Sequence, residues 1–113
     1  RNQTKAQVKK SKIQEETTNL ALDQVKINLE STIQRAFTDA KAALKAFEAA
    51  QLSLKSQELA FSNSQERFSL GALNSFDLEQ SRIRLLNALS SSINAKYDFI
   101  FKTKVLDYYL GKR

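Results

Sequence analysis

The fold of this chain is decided by residues 66–78, which read ERFSLGALNSFDL and contain Gly71, the only glycine far from either end. A glycine readily takes the left-handed conformation that closes a helix, and Arg67 places a cation in the last helical turn, where it suits the helix dipole. Asn74 is a good helix N-cap, and Asp77 three residues later completes a capping-box-like pair. The stretch therefore predicts the end of one helix, a short turn and the start of a second helix.

The sequence on both sides of this turn is typical of long helices. Two helices are predicted, over residues 4–69 and 75–110 approximately. Ala, Leu, Lys, Glu and Gln dominate both segments, and the chain contains no proline. Because the connection at residues 70–74 is short, the two helices are expected to be antiparallel neighbours. The predicted fold is all-α: a single long antiparallel helical hairpin of the coiled-coil type over residues 1–113.

Apolar residues recur along both helices in steps of three and four, as in a coiled-coil seam. In the first helix the polar residues Gln51, Glu58 and Gln65 occupy skipped seam positions, which suits helices that slide past one another. A second apolar stripe on each helix predicts more than one neighbouring helix. The predicted seam contains Ala40, Leu44, Phe47, Leu54, Phe61 and Phe68 in the first helix. The second helix offers one line with Ile83, Leu86, Ile93, Tyr97 and Ile100, and another with Leu78, Leu85 and Leu89.

Folding the chain at the turn pairs residues whose numbers add up to about 144, so that Phe61 is expected to meet Ile83 and Phe47 to meet Tyr97. On this register residues 1–32 have no partner within the chain, although they include several apolar residues. The hairpin is therefore expected to need partners, either further copies or missing parts of a longer protein.

The composition argues against an enzyme. Without Cys or His the chain has no thiolate nucleophile, no imidazole base and none of the usual nitrogen or sulfur ligands for zinc. The twelve Asp and Glu residues are spread out, and no catalytic triad, metal set or phosphate-binding loop is present. We therefore expect no catalytic residue, no metal and no cofactor.

The formal net charge of +6 is concentrated at the chain ends. Residues 1–12 carry five cations and no acid, and residues 102–113 carry four cations and one acid. A basic helical nucleic-acid binder, with strongly salt-dependent DNA binding, is one interpretation, and a solvated charged face is the other. Residues 1–12 contain no aromatic side chain for base stacking, so a nucleic-acid partner is not expected.

The turn and its flanks resemble the tip signature of the outer-membrane efflux proteins, the TolC-like family. The matching residues are the run from Glu66 to Ala72, then Asn74, then Phe76-Asp77-Leu78. Further matches are Arg1-Asn2-Gln3 and the basic helix to Lys12 upstream, and Leu86-Asn87-Ala88, Ala95-Lys96-Tyr97-Asp98-Phe99, Leu106 and Leu110-Gly111 downstream. The resemblance covers essentially the whole chain.

This resemblance implies a parent protein that is a trimeric outer-membrane duct of a Gram-negative bacterium. The helical barrel of such a duct projects into the periplasm and joins an inner-membrane pump through a periplasmic adaptor protein, and it exports small molecules or proteins. The chain would be the second-repeat periplasmic hairpin, a fragment of the trimeric α-helical barrel that lacks the membrane strands. It would be a homotrimer in the full-length protein and reach the outer membrane through parts outside this chain.

The resemblance also assigns roles to particular residues. Leu70, Gly71 and Ala72 match the tip step that contacts the adaptor, Asp77 matches an acid at the pore entrance, and Phe68 matches an aromatic residue of the gate. Each has a simpler interpretation: Gly71 closes a helix, Asp77 is a first-turn acid, and Phe68 is a core residue.

The chain departs from the family pattern at three positions. Leu73 stands where an Arg can sit in the gate network, Gln80 stands where a second acid can sit, and Phe68 lacks the hydroxyl of the usual Tyr. The polar network of the closed gate is therefore expected to be thinner. A structural coiled coil or the hairpin of a periplasmic adaptor remains the alternative, and flanking sequence would discriminate between them.

Overall fold

The chain forms two α-helices joined by a short turn. In the computed structural model, which describes residues 1–112, helix α1 spans Asn2–Ser69 and helix α2 spans Ser75–Tyr109. No strand is present among these residues, and the predicted all-α hairpin is confirmed. No helix in the described part combines the length and the apolar character that crossing a membrane requires.

The described residues divide into two units, Arg1–Arg35 and Ala36–Arg113, the second being described to residue 112. In the first unit every side chain as far as residue 31 is exposed, including apolar ones such as Leu20 and Val25. The hydroxyl groups of Thr17 and Thr18 donate hydrogen bonds to backbone carbonyls four residues earlier. This segment is therefore held together by local helical hydrogen bonds, while its apolar side chains face solvent.

The second unit is the helical hairpin itself, and two contacts fix its register. The Ser64 hydroxyl donates a hydrogen bond to the Ser81 hydroxyl over 3.1 Å, and the Phe47 ring stacks on the Phe99 ring at 6.3 Å between centroids. The residue numbers of these pairs add up to 145 and 146, so the predicted register is right to within two residues.

The interface between the helices is a regular heptad seam in which half of the side chains are alanine or serine. Its members are buried or half-buried at alternating steps of four and three, the geometry of knobs-into-holes packing. On α1 they are Ala36, Ala40, Ala43, Phe47, Ala50, Leu54, Gln57, Phe61 and Ser64. On α2 they are Leu78, Ser81, Leu85, Ala88, Ser92, Ala95, Phe99, Lys102 and Leu106.

The predicted seam on α1 is right at Ala40, Phe47, Leu54 and Phe61. It is wrong at the alternate positions, which lie one residue away from the observed ones. Leu44 and the predicted polar seam positions Gln51, Glu58 and Gln65 are all exposed. The observed seam passes instead through Ala43, Ala50, Gln57 and Ser64, which directly precede those residues. Small side chains allow two helices to approach closely, and this contact takes precedence over the larger neighbouring apolar residues.

The facing residues on α2 differ from the prediction for the same reason. Ile83 and Tyr97 are exposed rather than paired with Phe61 and Phe47. Phe47 meets Phe99, and the register places Leu85 opposite Phe61. The predicted line that contains Ile83 and Tyr97 is thus an outer stripe. Of the other predicted line, Leu78 and Leu85 belong to the hairpin seam, while Leu89 is exposed and Ala88 takes its place.

Both helices end in the same glycine-based cap. At the end of α1, the Gly71 N–H donates to the Phe68 carbonyl over 3.0 Å and the Ala72 N–H donates to the Arg67 carbonyl over 2.8 Å. Gly71 has φ of +77°, the left-handed conformation of a Schellman motif. Gly111, with φ of +75°, closes α2 through the equivalent pair of bonds.

Candidate functional site at the hairpin tip

The turn between the helices is organised from both sides by capping bonds. Asn74 has an extended backbone, with φ of −81° and ψ of 165°, and its Oδ1 accepts a hydrogen bond from the Asp77 N–H over 2.7 Å. The Asn74 carbonyl accepts the first helical bond of α2 from the Leu78 N–H over 3.1 Å. Together with the Schellman motif at Gly71, these bonds give the tip a defined backbone conformation.

The tip presents apolar side chains to solvent. Leu70 is 76% exposed, Phe76 is 68% exposed and Phe68 is 43% exposed, while Leu73 is half-buried. Leu70, the backbone of Gly71 and Ala72 form one continuous exposed step. Residues this apolar are seldom left in water at a turn that is itself rigid, so the tip has the character of a contact surface.

Gly71 has a conformational role that the structure displays directly. A residue with a Cβ atom would be strained at the positive φ of Gly71. Space is not the reason for the glycine, because a Cβ built at this position would meet no atom within 4 Å. The glycine therefore serves the backbone of this chain and not a tight contact within it. The open space above it leaves the backbone accessible to another molecule.

The charged groups at the tip are exposed and nearly balanced. Glu79 and Arg82 form an ion pair one turn into α2, in which Arg82 Nε donates to a Glu79 carboxylate oxygen over 3.1 Å. This hydrogen bond from Arg82 lowers the pKa of Glu79, and the same bond raises the pKa of Arg82. Asp77 has no ion-pair partner within residues 1–112. The paired acid is thus Glu79, and the acid left facing solvent is Asp77.

The residues that the structure describes include no group of three or more carboxylates close enough together to hold a metal ion. What the tip can offer a partner is shape, apolar surface and a rigid turn.

A family comparison assigns the chain. The sequence model of the family described as outer membrane efflux protein matches residues 1–112. The chain belongs to the outer membrane efflux protein family. No curated protein and no solved structure matches the chain.

Membership confirms the resemblance carried by the turn and its flanks and makes the chain part of an outer membrane efflux protein. Of the residues singled out in this efflux protein sequence, Asn74 and Asp77 are joined by the N-cap hydrogen bond of α2, and Gly71 lies in the separate cap that ends α1. Phe68 and Asp77 share no hydrogen bond, ion pair or ring contact among the described residues. Their assignment to a common gate stays a prediction.

The sequence analysis places Phe76 in the tip signature but does not predict its exposure. Its exposure follows from a signal that the sequence does contain, because Phe76 lies one heptad before Ile83, on the outer stripe of α2. All the large apolar members of this stripe are exposed: Phe76, Ile83, Leu86, Ile93, Tyr97 and Ile100. The efflux protein hairpin therefore has a second apolar seam that its own helices leave uncovered.

A groove also runs along the flank of the hairpin. It has a volume of about 350 Å³ and is lined by apolar residues of both helices, among them Phe37 and Leu44 of α1 and Phe99 and Leu106 of α2. Such a groove between two helices is the shape into which side chains of a further helix fit. The hairpin thus offers lateral surfaces for helix packing in addition to its tip.

Proposed function

We propose that this chain is the periplasmic helical hairpin of an outer-membrane efflux duct and that its tip docks a periplasmic adaptor protein. The assembled duct exports small molecules or proteins from the cell, and an inner-membrane pump supplies the energy. The chain acts as a conduit wall and not as an enzyme. The observation that carries the proposal is a rigid, doubly capped turn with Leu70 76% exposed, in a chain of the efflux protein family.

The tip suits docking because hydrogen bonds within the hairpin already fix the conformation of the turn. The caps at Gly71 and Asn74 hold the turn, so the tip itself loses little conformational entropy when a partner binds. Full burial of one large apolar side chain contributes about 1.5–3 kcal/mol, and Leu70 and Phe76 are both available. Gly71 lets the partner's backbone approach at the centre of the step Leu70-Gly71-Ala72.

The lateral surfaces support a homotrimeric barrel in the full-length protein. The outer stripe of α2 and the flank groove are apolar and uncovered, and neighbouring helices of a barrel would cover them. Copies of Asp77 would then form a ring of carboxylates at the periplasmic entrance that attracts cations. The segments that span the outer membrane would be parts of the protein outside this chain.

The gate in this duct would rely more on apolar contacts than on polar ones. Phe68 carries no hydroxyl, Leu73 is apolar and half-buried, and Gln80 is uncharged. A closed state with these residues has few ion pairs to break. Opening would therefore follow a shift of neighbouring hairpins that adaptor contacts at the tip set in motion.

Photo-crosslinking in the full-length protein tests the docking proposal. A photoreactive amino acid replaces Leu70 in one variant and Leu52, an equally exposed leucine far from the tip, in the matched control. Both variants are expressed in cells that contain the native pump and adaptor, and crosslinked partners are identified by mass spectrometry.

We expect the variant at position 70 to capture an adaptor and the variant at position 52 to capture only neighbouring efflux protein subunits. Equal amounts of both variants in the outer membrane are verified first, so that a missing product does not reflect misfolding. Capture of an adaptor at position 52 and not at position 70 would reject the tip as the docking site.

A further inference from the structure

A stripe of cations runs along one face of the first turns of α1. The Lys5 N–H donates to the Arg1 carbonyl over 3.1 Å, so helical geometry holds from the first residue. At 3.6 residues per turn, Arg1, Lys5, Lys9 and Lys12 fall within an arc of about 80° over a length of about 16 Å. We call these four residues the cationic stripe.

No acidic side chain within residues 1–112 forms an ion pair with this stripe. All four side chains are exposed, and none of them forms an ion pair within residues 1–112, where the ion pairs are Glu79–Arg82 and Asp98–Lys102. The first acid of the sequence is Glu15. An uncompensated row of like charges repels itself and favours a partner that carries negative charge.

The side chains between the charges add an apolar component. Val8 is exposed, and it lines a groove together with Thr4, Lys5, Lys9 and Lys12. Lysine side chains can lay their aliphatic stems along apolar surface while the ammonium groups reach outward. This combination matches the boundary between phosphate headgroups and acyl chains better than it matches a purely polar surface.

We infer that the cationic stripe binds a membrane surface of anionic phospholipids. Three of its four cations are lysines, point charges that attract phosphate groups without requiring the paired geometry of an arginine fork. No aromatic residue lies among them, so base stacking is not available. The chain belongs to a family of outer membrane proteins, which places such a surface within reach of the parent molecule. The inference goes beyond docking at the tip and does not depend on it.

Vesicle flotation with the 113-residue chain tests this inference. Vesicles of phosphatidylcholine with about 30% phosphatidylglycerol are compared with vesicles of phosphatidylcholine alone, at about 0.05 M and about 0.5 M NaCl. The test variant is Lys5→Gln/Lys9→Gln/Lys12→Gln. The matched control is Lys41→Gln/Lys45→Gln/Lys55→Gln, which removes the same charge from exposed positions on α1 where Glu48 shares the face.

We expect the native chain to bind only the anionic vesicles, and only at low salt. Each cation near an anionic surface contributes a factor of about five, so the test variant should bind about 100-fold more weakly. The control should lose less than about fivefold. Glutamine and lysine have similar helix propensities, and unchanged circular dichroism verifies that both variants remain helical.

Three results would overturn the inference. The first is no binding of the native chain to anionic vesicles, and the second is an equal loss in both variants, which would show attraction by net charge alone. The third is tighter binding to a short DNA duplex than to the vesicles at the same salt, which would make the stripe a nucleic-acid site. Glycerol phosphate added in solution should not compete, because the stripe recognises a surface and not a single phosphate.

Discussion

Gln57 offers a direct test of the observed seam. It is half-buried in the same seam of α1 as Ala50 and Phe61, and the register places Ala88 of α2 opposite it. Gln57→Leu keeps the side-chain volume nearly constant and exchanges a polar amide for an apolar group. Full burial of a leucine contributes about 1.5–3 kcal/mol, so half burial should stabilise the hairpin by about 1 kcal/mol.

The matched control is Gln51→Leu, the same chemical change at an exposed position of the same helix. Gln51 occupies a seam position in the sequence-based prediction and lies outside the seam in the structure. Its replacement should alter stability by no more than about 0.5 kcal/mol. The two glutamines thus separate the predicted phase from the observed phase.

Thermal unfolding followed by circular dichroism at 222 nm measures the difference. For a unit of this size, about 1 kcal/mol corresponds to a rise in Tm of about 4–8 °C for Gln57→Leu. Each variant is measured at two protein concentrations about tenfold apart, because self-association also raises an apparent Tm. A higher Tm for Gln51→Leu than for Gln57→Leu at both concentrations would refute the observed seam.

Two further predictions concern the turn and the hydroxyl pair. Gly71→Ala should destabilise the hairpin by about 1–2 kcal/mol in urea titrations, because an alanine is strained at positive φ. Gly111→Ala, which has nearly the same φ at the end of α2, should destabilise it less. Equal losses of stability in the two variants would contradict this account. Ser81→Ala should cost about 1 kcal/mol because it removes the acceptor of the Ser64 hydroxyl at a position only 1% exposed, whereas Ser64→Ala/Ser81→Ala should be nearly neutral. Additive losses in this double-mutant cycle would show that the hydrogen bond contributes nothing.

The hairpin and its register could be predicted because local chemistry determines them. Gly71 and Asn74 have backbone and side-chain properties that end one helix and begin another, whatever surrounds them. A short turn then leaves little freedom in pairing, which is why the register was right to within two residues. The caps formed as the residue types indicated.

The phase of the seam could not be predicted in the same way. Each helix has two apolar stripes, and a single sequence does not say which of them faces the partner helix in the same chain. The size of residues such as Leu44 and Ile83 favoured a seam through those residues. In the structure the helices approach closely through the small residues Ala43 and Ser81 instead. The exposure of Phe76 could not be predicted for the same reason, since it depends on which stripe of α2 lies outside.

The roles of Leu70, Ala72 and Phe68 at the tip depend on molecules outside the chain. Their exposure is a property of the hairpin, but docking is a property of a complex. The sequence and the fold therefore identify the exposed surface of the tip, and the crosslinking experiment on the full-length protein identifies the partner that binds it.

Small side chains lie deepest between the two helices and several large apolar ones lie outside them, and this difference affects how the protein folds and assembles. The most deeply buried side chains between the two helices are alanine and serine, whereas several larger apolar residues, such as Leu86 and Ile93, lie on the outside. In the proposed trimer, contacts between neighbouring subunits should then contribute more stability than the contacts within one hairpin. Folding and assembly of that trimer would accordingly be coupled, and a subunit made in excess would be an early target for proteases.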